Sequence, residues 1–281
     1  MKKSTKTLAT CAVLLLSVPG LYIYKTRFSP APAPAQLEYL PSTAKAEINF
    51  ISVANAGEIS TAAQAAKNGQ ILFDFSKETV GAPPKTFTPA VGNWIIGNDN
   101  NNTVLVVDGR KWKRGVASAG IADKAKALYG ERYAEFLDNV TAYAYFPFAV
   151  ANNVDNFENG EITVRFKAVA GRIDQGAGIL FDLKANGDYY AIRANPLEHN
   201  LVLWRYKHGK RSSVSWVRNV RTPSHKWHDL TLNVQGTLIK GSVNGKLYLT
   251  YHLPDSVSGK VGLWTKADSV VYFDDYKVTN H

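Results

Sequence analysis

From Ile71 onward the chain falls into short apolar runs separated by turn residues, and this punctuation limits the fold more than any other feature. The early runs are ILFDF (71–75), NWIIG (93–97) and TVLVVD (103–108), and TAYAYFPFAV (141–150) returns to the same character. Residues 161–166, EITVRF, alternate strictly, which predicts that Ile162, Val164 and Phe166 share one face of a strand. Asn186-Gly187-Asp188, His208-Gly209-Lys210, Gln235-Gly236 and Asn244-Gly245 separate later runs, and Asn-Gly favours the positive φ angles of a type I′ hairpin. Helical spacing occurs within 121–140, at Ile121, Ala125, Leu128, Tyr133 and Phe136. About fourteen strands at hairpin spacing, without regular alternation of strand and helix, predict an all-β, antiparallel two-sheet sandwich with one helical insertion.

The first 70 residues read differently. Lys2, Lys3 and Lys6 precede an apolar run from Leu8 to Tyr24, so residues 1–24 are expected to be an export signal. Lys25 and Arg27 follow directly, and the run is slightly short for a span of about 20 residues. A cleaved signal and a retained inner-membrane anchor both stand; either makes the protein periplasmic or extracellular. Residues 25–70 are expected to be a Pro/Ala-rich linker and N-terminal extension, with a short helix over STAAQAAKN (60–68). The sandwich is placed at 71–281. Cys11 is the only cysteine and lies in the targeting segment. The domain therefore has no disulfide, thiol nucleophile or thiolate metal site.

The formal net charge is +10. Half of it comes from Lys2, Lys3, Lys6, Lys25 and Arg27, with no acid among residues 1–36. The other half lies in residues 151–281, mostly between Arg193 and Lys226. There Arg193, Arg205, Lys207, Lys210, Arg211, Arg218, Arg221 and Lys226 are opposed by Glu198 alone. Trp204, Tyr206 and Trp216 lie among these cations. Such a stretch can stack on flat ligand faces and donate to anionic or hydroxyl oxygens. Nucleic acid is not expected, because half the basic excess belongs to targeting. Trp227 and Trp264 sit in core patterns and are expected to be buried, whereas Trp204 is a candidate for exposure.

Four segments carry a family resemblance: GEITVRFKAVAGRIDQGAG (160–178), DYYAIRANPLEHNLVLWRYKHGKR (188–211), KWHDLTLNVQG (226–236) with VNGK (243–246), and GKVGLWTKADSVVYFDD (259–275). Together they resemble the concanavalin A-like lectin and glucanase jelly rolls, specifically the laminin-G-like domains and the 3-keto-disaccharide hydrolases. The resemblance implies a jelly-roll sandwich. With the export signal and the stretch of rings and cations, it leads to the expectation of an exported carbohydrate-binding protein whose partner is a carbohydrate or polysaccharide, an acidic polysaccharide among the candidates. Two alternatives remain: a glycoside hydrolase or polysaccharide lyase, and an envelope protein-interaction module.

The same resemblance groups Asp174, Gln175, Arg193, Asn195 and Glu198 around one polar pocket. Tyr190, Trp204, Arg205 and Arg211 extend the expected ligand site. In an enzyme, Asp174 or Glu198 would transfer the proton. The structural alternative is that Asp174 caps a turn and Arg193–Glu198 is a loop-fixing ion pair. No Glu-x-Asp-x-(x)-Glu run of laminarinase type occurs, so the paired carboxylates of glycoside hydrolysis are not visible. Tyr190 follows Tyr189 where the hydrolases carry an acidic residue. No zinc spacing occurs. Jelly rolls of this kind often clamp their terminal strands with calcium, and Asp74, Asp274 and Asp275 are the expected ligands of a structural ion. No other cofactor is expected.

Overall fold

The computed structural model describes residues 63–66, 69–111, 125–126, 128–130, 136 and 145–281. The expected signal at 1–24, Cys11 and the Pro/Ala run lie outside them. Among the described residues no helix is long and apolar enough to cross a membrane. Sixteen strands are described. They are β1 (Ala63–Ala66), β2 (Gln70–Phe73), β3 (Phe87–Val91), β4 (Trp94–Asp99), β5 (Asn102–Asp108), β6 (Phe148–Ala151), β7 (Gly160–Ala170) and β8 (Ala177–Leu183). They continue as β9 (Tyr189–Asn195), β10 (Asn200–Lys207), β11 (Lys210–Arg218), β12 (His228–Gln235), β13 (Leu238–Val243), β14 (Lys246–His252), β15 (Lys260–Thr265) and β16 (Val270–Asn280).

The strands form two antiparallel sheets, as the turn punctuation predicts. The nine-stranded sheet runs β1-β2-β16-β7-β12-β13-β14, with β5 also on β16 and β4 beyond it. The seven-stranded sheet runs β11-β10-β9-β8-β15-β6-β3. Val243 pairs with Lys246 across the two-residue turn Asn244-Gly245, whose φ values are 49° and 75°. Both angles are positive, as a type I′ turn requires.

One expectation needs correction. Ala63–Ala66 is a strand paired with β2, not part of a helix over 60–68, so the sandwich extends back before Ile71. Alanine favours helix intrinsically, but the open edge of β2 offers a full set of main-chain partners, and tertiary context overrides so weak a preference.

Two apolar layers hold the molecule together. The first lies between the sheets. Ile162, Val164 and Phe166 of β7 face Ile179, Phe181, Ile192, Leu201 and Leu203, all at most 1% exposed. The second layer lies on the outer face of the seven-stranded sheet, where Leu180, Tyr189, Val202, Trp204, Tyr206 and Trp264 are buried. Helical residues Ala125 and Phe136 are fully buried in this layer, and Leu128 and Tyr129 pack against it. The Tyr129 hydroxyl donates to the Leu183 carbonyl at 3.3 Å. These helical residues therefore cover part of that outer face; Ile121 and Tyr133 lie outside the described residues.

Candidate functional site

Strand alternation sends Arg193 and Asn195 of β9 to the same outer face as Trp264 and Val202. Gly178, Arg193 and Val202 stand opposite one another on β8, β9 and β10. Gly176 and Gly178 leave room for the arginine: a Cβ on Gly176 would lie 2.9 Å from both Arg193 Cδ and Asp174 Oδ1. Such close approach is what small residues in a strand permit. Asp174 is fully buried. Its carboxylate accepts from Gly176 N at 2.8 Å, Asn195 Nδ2 at 3.0 Å and Lys266 Nζ at 2.7 Å. Arg193 is 1% exposed and donates to Glu198 Oε2 through both terminal nitrogens, at 3.2 and 3.1 Å. Asn200 donates to the same oxygen at 2.8 Å. Gln175 donates to the Gly171 carbonyl at 3.0 Å and accepts from Ser224.

The structure thus joins Asp174 directly to Asn195, and Arg193 to Glu198, with Gly176 between the two groups. It also realises the structural alternative, since Asp174 caps the turn to Gly176 and Arg193–Glu198 is an ion pair. Both carboxylates are committed to donors from the surrounding chain. Burial alone would raise the Glu198 carboxyl, but the Asn200 hydrogen bond and the Arg193 charge outweigh it and hold it below its ordinary value. Arg193 Nε, Asn200 Oδ1 and Trp204 Nε1 are buried without a hydrogen-bond partner among the described residues.

The loop that presents Asp174 is pinned by Asp268. Its carboxylate accepts from the backbone N–H groups of Arg172, Ile173 and Asp174 at 2.8–3.1 Å. Desolvation works against the charge, but these donors prevail and the Asp268 carboxyl lies below the ordinary 3.8. A depressed folded value means that its contribution is complete above that pH and disappears as pH falls through the folded value. Acid titration of Asp268→Ala should therefore show a smaller loss of stability below about pH 4 than the parent protein. Identical acid profiles would show that Asp268 contributes nothing.

Next to this cluster lies a strip of rings and guanidinium groups on β10 and β11. Trp204 is 7% exposed, which corrects the expectation that it is open to solvent. It is covered by Arg211, whose guanidinium carbon is 4.4 Å from the indole centre and 4.7 Å from that of Phe146. The exposed ring is Trp216, at 46%, meeting Trp204 edge-on at 5.6 Å. Trp216 and Arg211 are five residues apart, and strict alternation would send them to opposite faces. A register shift between Leu203 and Trp204 inserts an extra residue, Val214, into β11. Trp216 then opposes Val202 and Arg211 opposes Tyr206, both on the outer face. A bulge re-aims side chains in this way. Arg218 opposes Asn200 and completes the strip. Neither Arg211 nor Arg218 has an acidic partner among the described residues.

Other expected residues lie elsewhere. Tyr190 stacks on Phe181 at 5.6 Å and packs against the inter-sheet core. Arg205 opposes it on β10. These two share a small cavity of about 110 Å³ with Asp182 and Asp255. Burial pushes the Tyr190 hydroxyl above its ordinary value. Both belong to the face of the seven-stranded sheet opposite Arg193, because alternation divides the basic stretch between two faces. Trp264 is buried, as expected, whereas Trp227 is only half-buried; its indole N–H donates to Asp99 at 3.1 Å.

The expected calcium ligands each have partners within the protein. Asp74 accepts from the backbone and hydroxyl of Ser76. Asp274 is buried and accepts from Asn102 at 2.7 Å, and Asp275 pairs with Arg165 at 3.0 Å. Among the described residues, no three His, Cys, Asp or Glu side chains come together as a metal site. The Asp-Asp pair instead marks a register shift in β16, with Asp275 at φ 47°, where the strand passes from β5 to β2.

Two stacked antiparallel sheets with these connections define a jelly-roll sandwich. Among solved structures, the carbohydrate-binding module CBM66 from Bacillus subtilis is similar with a TM-score of 0.50 and 11% identity, over 72% of this chain and 100% of that one. A Crh5 transglycosylase follows at 0.46, with 12% identity over 75% and 84% of the two chains. A Bacillus subtilis protein of galectin-like fold stands at 0.45, with 12% identity over 72% and 97%. At such identities the likeness to the first is one of fold alone, and the other two add no argument. No protein-family model matches the sequence, and no curated protein does.

Proposed function

We propose that the sandwich is a carbohydrate-binding module whose ligand is an acidic polysaccharide. One observation carries the reading: an exposed indole, Trp216, stands between two guanidinium groups that lack acidic partners among the described residues, Arg211 and Arg218, on the outer face of one sheet. A sugar ring presents an apolar face that stacks on indole, and a uronate carboxylate accepts the paired donors of an arginine. Arg211 already sits over the Trp204 and Phe146 rings, so less side-chain freedom remains to be lost on binding. The jelly-roll fold shared with a carbohydrate-binding module supports the reading. A hydrolytic role finds less support, because Asp174 and Glu198 are both committed to cations and amides.

Gel electrophoresis through immobilised polygalacturonate tests the proposal. The protein should be retarded at low salt, and the retardation should fall as ionic strength rises toward about 1 M, where exposed charges are screened beyond roughly 3 Å. Arg211→Gln and Arg218→Gln should each weaken it. Unretarded migration at low salt would show that the strip does not hold uronates.

A further inference from the structure

The outer face of the nine-stranded sheet carries a groove of about 440 Å³, on the side of the molecule away from Trp216. It is built from two cross-strand rungs. In the first, Leu72, Lys277, Thr163 and Thr231 stand next to one another on β2, β16, β7 and β12. In the second, Asp229 opposes Arg165 on β12 and β7, and Asp275 sits beside Arg165 at the bulge of β16. Short threonines between longer charged side chains make the depression.

Its polar groups are of two kinds. Arg165 is held in place: Nη1 is 3.0 Å from Asp275 Oδ2, and its guanidinium carbon is 5.0 Å from the Trp227 ring centre. Trp227 is itself anchored by its hydrogen bond to Asp99, which is ion-paired with Lys167. Even so, the side chains of Arg165 and Asp275 keep 41% and 42% of their exposure. By contrast, the Asp229 carboxylate, the Lys277 ammonium and the two threonine hydroxyls have no hydrogen-bond or ion-pair partner among the described residues.

We propose that this groove is a second binding site and that it takes a neutral sugar unit. Two carboxylates and two cations balance, so the groove selects for neither an anion nor a cation. An apolar ligand would bury those charges without partners, which is costly. A vicinal diol matches them, because each hydroxyl donates to Asp229 or Asp275 and accepts from Arg165 or Lys277. Leu72 supplies an apolar wall, and the volume falls within the roughly 300–1,000 Å³ of small-molecule sites. Fixing Arg165 before binding removes part of the ordering cost. This site is independent of the uronate strip, and together the two would let one sandwich hold glycan on both faces.

Calorimetric titration of the full chain with maltohexaose, cellohexaose, laminarihexaose, xylohexaose and mannohexaose tests it. At least one should bind with a Kd below about 10 mM, the weak end of measurable affinity. Asp229→Asn and Lys277→Gln should each weaken that binding about fivefold or more with an unchanged melting temperature, since neither side chain has a partner to lose. Trp216→Ala should leave it intact, which separates this site from the other face. Absence of binding by all five sugars, binding indifferent to both groove variants, or binding lost with Trp216→Ala would each overturn the proposal.

Discussion

Replacing Lys266 by alanine is expected to destabilise the protein by about 3–5 kcal/mol. Lys266 is the only cation on the Asp174 carboxylate among the described residues, at 2.7 Å, and the Asp174 side chain is 0% exposed. Asn195 and Gly176 would still donate to it, but they carry no compensating charge. Removing one partner of a buried pair leaves the other charged in a medium that solvates it poorly. Chemical denaturation measures the loss. Adding Asp174→Asn to the alanine variant should recover part of it, because the stranded charge is then gone. A single-variant loss below about 1 kcal/mol would place Asp174 in contact with solvent and dismantle the polar cluster as described.

The second large effect concerns the covered half of the same sheet. Trp264→Ala should cost about 3–5 kcal/mol, the usual range for emptying a buried aromatic site. Trp264 is fully buried and stacks on Phe146 at 5.9 Å, near Tyr206. It lies outside the inter-sheet core, so a large loss would show that the layer under the helical residues is a true second core. A loss near that of a surface substitution, within about 0.5 kcal/mol, would show that this outer face is open.

Much of the fold was legible because its signals are local. The alternation of Ile162, Val164 and Phe166 needs no partner strand to be read, and all three prove buried between the sheets. Asn244-Gly245 announces its hairpin through the φ angles that only a few residues tolerate. Trp264 could likewise be assigned to a buried position from its run.

What stayed hidden depends on events that a sequence does not mark. The extra residue at Val214 has no compositional signature, yet it decides that Trp216 and Arg211 share a face. Without it, Trp204 looked like the accessible ring, whereas Arg211 covers it. The helical spacing at Ala125 and Phe136 was visible, but not which sheet face it would cover. Alternation also divided the basic stretch, sending Arg205 to one face and Arg193 to the other. The bulge at Asp274-Asp275 is likewise set by register and is not announced by the residues themselves. The groove on the other sheet draws on Leu72, Thr163, Thr231 and Lys277, distant in sequence and adjacent only through register.

Calorimetric titration with a short oligogalacturonate, comparing the parent protein with Trp216→Ala, tests the central claim most directly. Trp216 is nearly half exposed and meets Trp204 edge-on, so the variant should melt within a few degrees of the parent. The account predicts measurable binding by the parent and at least a tenfold loss in the variant, about 1.4 kcal/mol, as expected for a central aromatic contact. Equal affinity in the two proteins would contradict it, because the uronate would then be held somewhere other than the Trp216 strip.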